Sequence, residues 1–111
     1  MTVIEEHADC ATLINIFTVK PEHARQLVEL LNTATTEVMQ DMPGFISANI
    51  HLSLDGMRVV NYAQWQTAED FQAMMQDPRA SEHLSRCAAI ASAFDPHLYD
   101  VEAVHVASAQ T

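Results

Sequence analysis

The sequence predicts an α+β fold of order β-α-β-β-α-β, in which a four-stranded antiparallel sheet carries its helices on one face. Three observations support this. Runs rich in β-branched residues are bounded by turn signals, segments of helical apolar spacing lie between them, and 111 residues suit one core.

The elements follow in order. Thr12 to Val19 is dense in Thr, Ile and Val and reads as the first strand. Lys20-Pro21-Glu22 opens a helix, because proline fits the first turn and Glu22 lies near the positive end of the helix dipole. Ala24, Leu27, Val28, Leu31, Ala34 and Val38 then recur at helical spacing and make one apolar face. Met42-Pro43-Gly44 stops that helix. Phe45 to Ser53 is the second strand, Asp55-Gly56 a hairpin turn and Met57 to Trp65 the third strand.

Thr67 is placed to cap the next helix, with Asp70 three residues on. Phe71, Met74 and Met75 form its apolar side until Asp77-Pro78 interrupts it. A further helical piece carries Leu84, Cys87, Ala88 and Ala91. Asp95-Pro96 is expected to break it, leaving His97 to Val106 as the final strand and a frayed tail beyond. This split βαβ order is the ferredoxin-like arrangement. Residues 1–111 read as one domain, with the core over residues 12–106. Leu13, Phe17 and Val19 on one strand face, and Ile14 and Ile16 on the other, leave the sheet apolar on both sides. That pattern predicts a homodimer, with a partner subunit closing over the face without helices.

Composition excludes several functions. Fifteen acidic residues against five basic ones, a net charge of −10, leave no cationic stripe for nucleic acid or anionic lipid. No apolar stretch approaches the length of a membrane span. Glu5, Glu6 and Asp9 stand where a signal peptide carries positive charge, so a cytoplasmic protein is expected. Cys10 and Cys87 form no CxxC pair, and Cys87 reads as a buried small hydrophobe. The histidines form no HxxxH or HExxH pair, and Gly44 and Gly56 are the only glycines, too few for a phosphate loop. Neither a metal nor a nucleotide cofactor is expected.

The segment Met42-Pro43-Gly44-Phe45-Ile46-Ser47-Ala48, then Asp55-Gly56, then Val59-Val60-Asn61-Tyr62-Ala63-Gln64-Trp65, resembles the antibiotic biosynthesis monooxygenase family. Asp77-Pro78-Arg79 in the helix break fits the same pattern, and the likeness spans residues 12–106. Within the family it looks like the anthrone oxygenases of aromatic polyketide pathways. The resemblance implies a dimer of ferredoxin-like subunits, each with a pocket between sheet and helices. It further implies oxidation of an electron-rich phenolic substrate by dioxygen without metal or flavin. The family's catalytic asparagine and tryptophan match Asn61 and Trp65, and a first-strand asparagine used by some members matches Asn15. The chain departs from some relatives in having Phe71 and Ile50 where they carry tyrosines. The helical arginine of some members falls near Leu84.

The residue pattern accommodates that chemistry. Asn61 and Trp65 are four apart on a strand, so they share a face with Val59 and Ala63. An amide and an indole donor on an apolar wall suit the developing enolate oxygen of a flat aromatic ketone. Asn15, between Leu13 and Phe17 on its own face, needs a partner or a ligand. The plainer alternative makes both asparagines structural and Trp65 a core residue. His83 on the last helix and His51 on the second strand are further pocket candidates beside Phe71 and Ile50. The methionines read as core filler. Two other functions compete: a haem-degrading monooxygenase of this fold, for which Asn15 and His83 fall near the required residues, and a non-catalytic small-molecule-binding dimer.

Overall fold

Strand β1 (Ala11–Thr18) lies inside the sheet, flanked by β3 (Arg58–Trp65) and β4 (Ala93–Tyr99); β2 (Phe45–Leu52) pairs with β3 at the other edge. All three pairings are antiparallel, in the order β2-β3-β1-β4. The structure, a computed structural model, describes residues 1–108. Helices α1 (Pro21–Glu37), α2 (Ala68–Met75) and α3 (Pro78–Ile90) cover one face of the sheet, with a short 3₁₀ turn at Met39–Asp41.

Local chemistry fixes the helix ends as the sequence predicts. Pro21 begins α1, and the Thr67 hydroxyl accepts the Asp70 N–H at 3.0 Å to cap α2. Asp77 accepts the Arg79 N–H at 2.9 Å and caps α3, so the interruption between the two short helices has its own N-cap. The Arg79 guanidinium and N–H hold the Asp77 carboxyl below the usual carboxylate range.

On the helix side, the strand register lays three rows across the sheet. Leu98, Leu13, Ala63 and Ala48 form the first; Phe94, Phe17, Val59 and Leu52 form the third. Between them run Pro96, Asn15, Asn61 and Ile50. The buried core divides along this middle row. One cluster gathers Leu13, Ala63 and Trp65 with Met39, Met74 and Ala80. The other gathers Phe17 and Val59 with Leu27, Leu31 and Cys87. Cys87 is fully buried, and burial pushes its thiol up to about 11.

The last strand corrects the sequence expectation. It runs from Ala93 to Tyr99 and contains Asp95-Pro96, rather than starting after them. An edge strand pairs on one side only, so it tolerates a residue without an N–H. Residues Val101 to Val106, expected as strand, are irregular and are tied to the N-terminal segment. Val101 O accepts the His7 N–H at 2.8 Å, and the Val104 N–H reaches Glu6 Oε1 at 3.1 Å. The frayed tail expected beyond Val106 falls in part on residues 109–111, outside the described residues.

The sheet's far face is partly covered by the chain itself, which the sequence reading did not anticipate. Gln64 donates to Val3 O at 2.7 Å and accepts from the Ser47 hydroxyl, while Thr2 donates to Asn49 Oδ1 at 2.8 Å. Ile16 on this side of the sheet and Ile46 at the β2 bulge remain exposed. Among the described residues no helix is long and apolar enough to cross a membrane.

Two turns depend on glycine. Gly56, at φ +73°, completes the β2–β3 hairpin, where Asp55 accepts the Met57 N–H and the Ser53 hydroxyl. Gly44, at φ +84°, has a second constraint, because a Cβ there would run into the Asp70 carboxylate. At Gly56 the nearest atom to such a Cβ is Pro21 Cβ at 3.6 Å, an ordinary contact. Gly44→Ala should therefore cost about 2–3 kcal/mol in urea unfolding and Gly56→Ala about 1 kcal/mol. Equal losses from the two would contradict the Asp70 clash.

Candidate active site

A cavity of about 320 Å³ lies between the sheet and the helices, where the two core clusters fail to meet. Its floor contains Asn15 and Asn61, which face each other across the β1–β3 pair. Leu13, Phe17 and Ala63 surround them. Trp65 closes one end, clasped edge-on by Phe45 at 5.4 Å between centroids and by Phe71 at 6.3 Å. A bulge between Phe45 and Ser47 brings Phe45 to the helix side against the indole. Met39 comes from the turn after α1, and Met74 and Met75 from α2. Helix α3 supplies Ser81, Leu84, Ser85 and Ala88.

Every side chain in this wall is uncharged. The cavity is thus an apolar slot with a few fixed polar groups, the form small-molecule sites usually take. Among them, Asn61 Oδ1 is buried and has no hydrogen-bond partner among the described residues. A buried amide oxygen left unpaired costs about 1–3 kcal/mol, so this position favours a ligand that can pair with it. Asn15 is engaged differently: its Oδ1 accepts the Asp95 N–H at 3.2 Å and holds the edge strand β4 to β1.

Of the residues singled out from sequence, Asn15, Asn61, Trp65 and Phe71 come together around the cavity. The others lie elsewhere. Ile50 shares the floor row with Asn61 but packs into the second core cluster, outside the cavity wall. His51 pairs in register with Val60 on the far side of the sheet and is exposed. His83 turns toward α1, where its Nε2 lies 3.6 Å from Glu37 Oε2. Among the described residues no three His, Cys, Asp or Glu side chains are grouped to hold a metal ion.

Sequence reasoning did not single out Ser81 and Ser85. Their signal was present: with Leu84 and Ala88 they follow the i, i+3, i+4, i+7 spacing of an inward helix stripe. Phe94 and Pro96 were missed because the last strand was expected to begin after them.

The family model for antibiotic biosynthesis monooxygenases matches residues 11–86. A tetracenomycin-F1 monooxygenase from Streptomyces glaucescens is 46% identical over 90 residues, which are 81% of this chain and 80% of the relative. Among solved structures, the monooxygenase from the gene ActVA-Orf6 of Streptomyces coelicolor, in complex with nanaomycin D, superposes with a TM-score of 0.77 at 25% identity, covering 92% of this chain and 95% of that one. SnoaB, a cofactor-independent oxygenase from Streptomyces nogalater, superposes with a TM-score of 0.72 at 22% identity, covering 87% and 97% of the two chains. An α+β fold of ferredoxin-like order, a matching family model and a 46% identical monooxygenase agree: the chain belongs to the antibiotic biosynthesis monooxygenase family.

Proposed function

We propose that this monooxygenase oxidises an anthrone-like polyphenol to its quinone with dioxygen, in the cytoplasm and without a bound cofactor. The unpaired Oδ1 of Asn61, on an uncharged wall shared with Trp65, carries the proposal. A carboxamide offers a donor and an acceptor that a half turn of the side chain exchanges. With the indole N–H, it can hold the oxygen on which charge develops when an aromatic ketone becomes its enolate. Two free thiols suit a reducing compartment.

The chemistry needs little more. Dioxygen is a triplet and reacts slowly with singlet molecules, but an enolate is electron-rich enough to give up one electron. The anthrone methylene first loses a proton, and the enolate then reduces dioxygen to superoxide. The two radicals join as a peroxide at that carbon. Protonation and loss of water leave the new carbonyl, so one oxygen atom ends in the quinone and the other in water. With no ionisable side chain in the wall, the first proton passes to water or to the substrate's own phenolate. The enzyme's share is to bind the flat ring, favour the enolate and exclude bulk water.

Oxygen uptake with dithranol, measured after exhaustive chelator treatment, tests this reading. Turnover above the uncatalysed rate is expected, and an absolute requirement for added metal, flavin or haem would refute the cofactor-free part. Asn61→Ala and Trp65→Phe should each slow oxidation by about tenfold to a hundredfold. Loss of one such donor can cost more where the uncatalysed reaction is slower. Trp65→Phe keeps most of the aromatic volume, so circular dichroism should show an unchanged fold. Unaltered rates in both variants would remove these residues from the site.

We also propose a homodimer. Ile16 on the far face, Ile46 at the β2 bulge and Tyr99 on the edge strand expose apolar surface that a second copy can bury. Light scattering at micromolar concentration should give twice the chain mass; a stable monomer would contradict the assembly.

A further inference from the structure

The cavity's polar groups divide between two walls. Asn15 and Asn61 lie on the sheet floor; Ser81 and Ser85 lie on α3, which roofs it. Ser81, Leu84, Ser85 and Ala88 all line the cavity, the two serines at its exposed rim and Leu84 and Ala88 half-buried behind them. Hydroxyls on helices commonly return to their own backbone. Thr35, which lines the cavity from α1, does so by donating to Leu31 O at 2.9 Å, as Thr36 does to Asn32 O at 3.0 Å. Among the described residues neither Ser81 nor Ser85 has a side-chain partner of this kind.

We infer that Ser81 and Ser85 form a specificity rail that reads a hydroxyl on the outer ring of a flat polycyclic substrate. This rests on the oxygenase reading above and adds to it the part of the substrate that is recognised. A serine hydroxyl both donates and accepts, so a pair one helical turn apart can bracket a phenol. Leu84 and Ala88, between and beyond them, offer only apolar contact. A ring held with its carbonyl at Asn61 on the floor and standing toward the roof turns its outer edge to α3. An outer ring without a hydroxyl leaves the serines to water at little cost, because both residues are substantially exposed. The rail therefore adds affinity for one ring pattern without rejecting others outright.

Trp65 is the only tryptophan and lines the cavity, so quenching of its fluorescence reports binding directly. Emodin and chrysophanol, stable anthraquinones that differ by one outer-ring hydroxyl, are the probes. The unaltered protein should bind emodin more tightly. The double variant Ser81→Ala, Ser85→Ala should raise the Kd for emodin by roughly threefold to tenfold and that for chrysophanol by less than twofold. Alanine favours helix, so the variant keeps α3 intact. An emodin preference absent from the unaltered protein, or unchanged in the variant, would overturn the rail. The readout is equilibrium binding, so a failure to oxidise anthrones would count against the oxygenase reading alone.

Discussion

Asn61 facing Asn15 across the β1–β3 pair is the constraint on which the rest of the molecule depends. Two amides in the middle of an apolar floor prevent the helices from packing down uniformly. The core responds by splitting, with Trp65 and its aromatic neighbours on one side and Phe17, Val59 and Cys87 on the other. The cavity is the space between the two clusters. A leucine in place of Asn61 would suit a continuous core better, and the binding slot would go with it. The site is thus a local sacrifice of packing, held open by two well-packed flanks.

Several short-range devices keep those flanks in place. The bulge in β2 aims Phe45 at the indole, and Gly44 lets the preceding turn come close to Asp70 at the start of α2. Asn15 has a second task, since its hydrogen bond to Asp95 holds the edge strand at the point where Pro96 enters the cavity wall. On the far face the N-terminal segment pairs with Gln64 and Asn49 and so satisfies polar groups that would otherwise be buried alone.

Much of this was legible in the sequence because it depends on local periodicity. Strand alternation put Asn61 and Trp65 on one face, and helical spacing with the Pro21 start, the Thr67 cap and the Asp77-Pro78 interruption located the three helices. What could not be read was set by pairing between distant segments. Asp95-Pro96 looks like a strand breaker until β4 is known to lie at an edge, where one side of the ladder is free. Histidines illustrate the same limit. His51 and His83 each had the right chemistry for a pocket, but the β2–β3 register turns one to the far face and the other lies against Glu37 of α1. The strand carrying Val101 to Val106 was expected from composition, and long-range bonds to the N-terminal segment took its place.

The thioethers in the wall have a consequence for the working life of the enzyme. Met39, Met74 and Met75 give the slot a soft, polarizable lining that conforms to a flat ring. Thioether sulfur is also readily oxidised to the sulfoxide, which makes a flexible apolar side chain polar. In the proposed reaction, a peroxide that escapes its carbon inside this slot has thioether sulfur within the wall to react with. Each such event would roughen the surface that grips the ring, so the pocket would wear with use, and a cell relying on it would need sulfoxide repair or steady replacement. The buried Cys87 is better protected, because its thiol stays protonated and lies outside the lining.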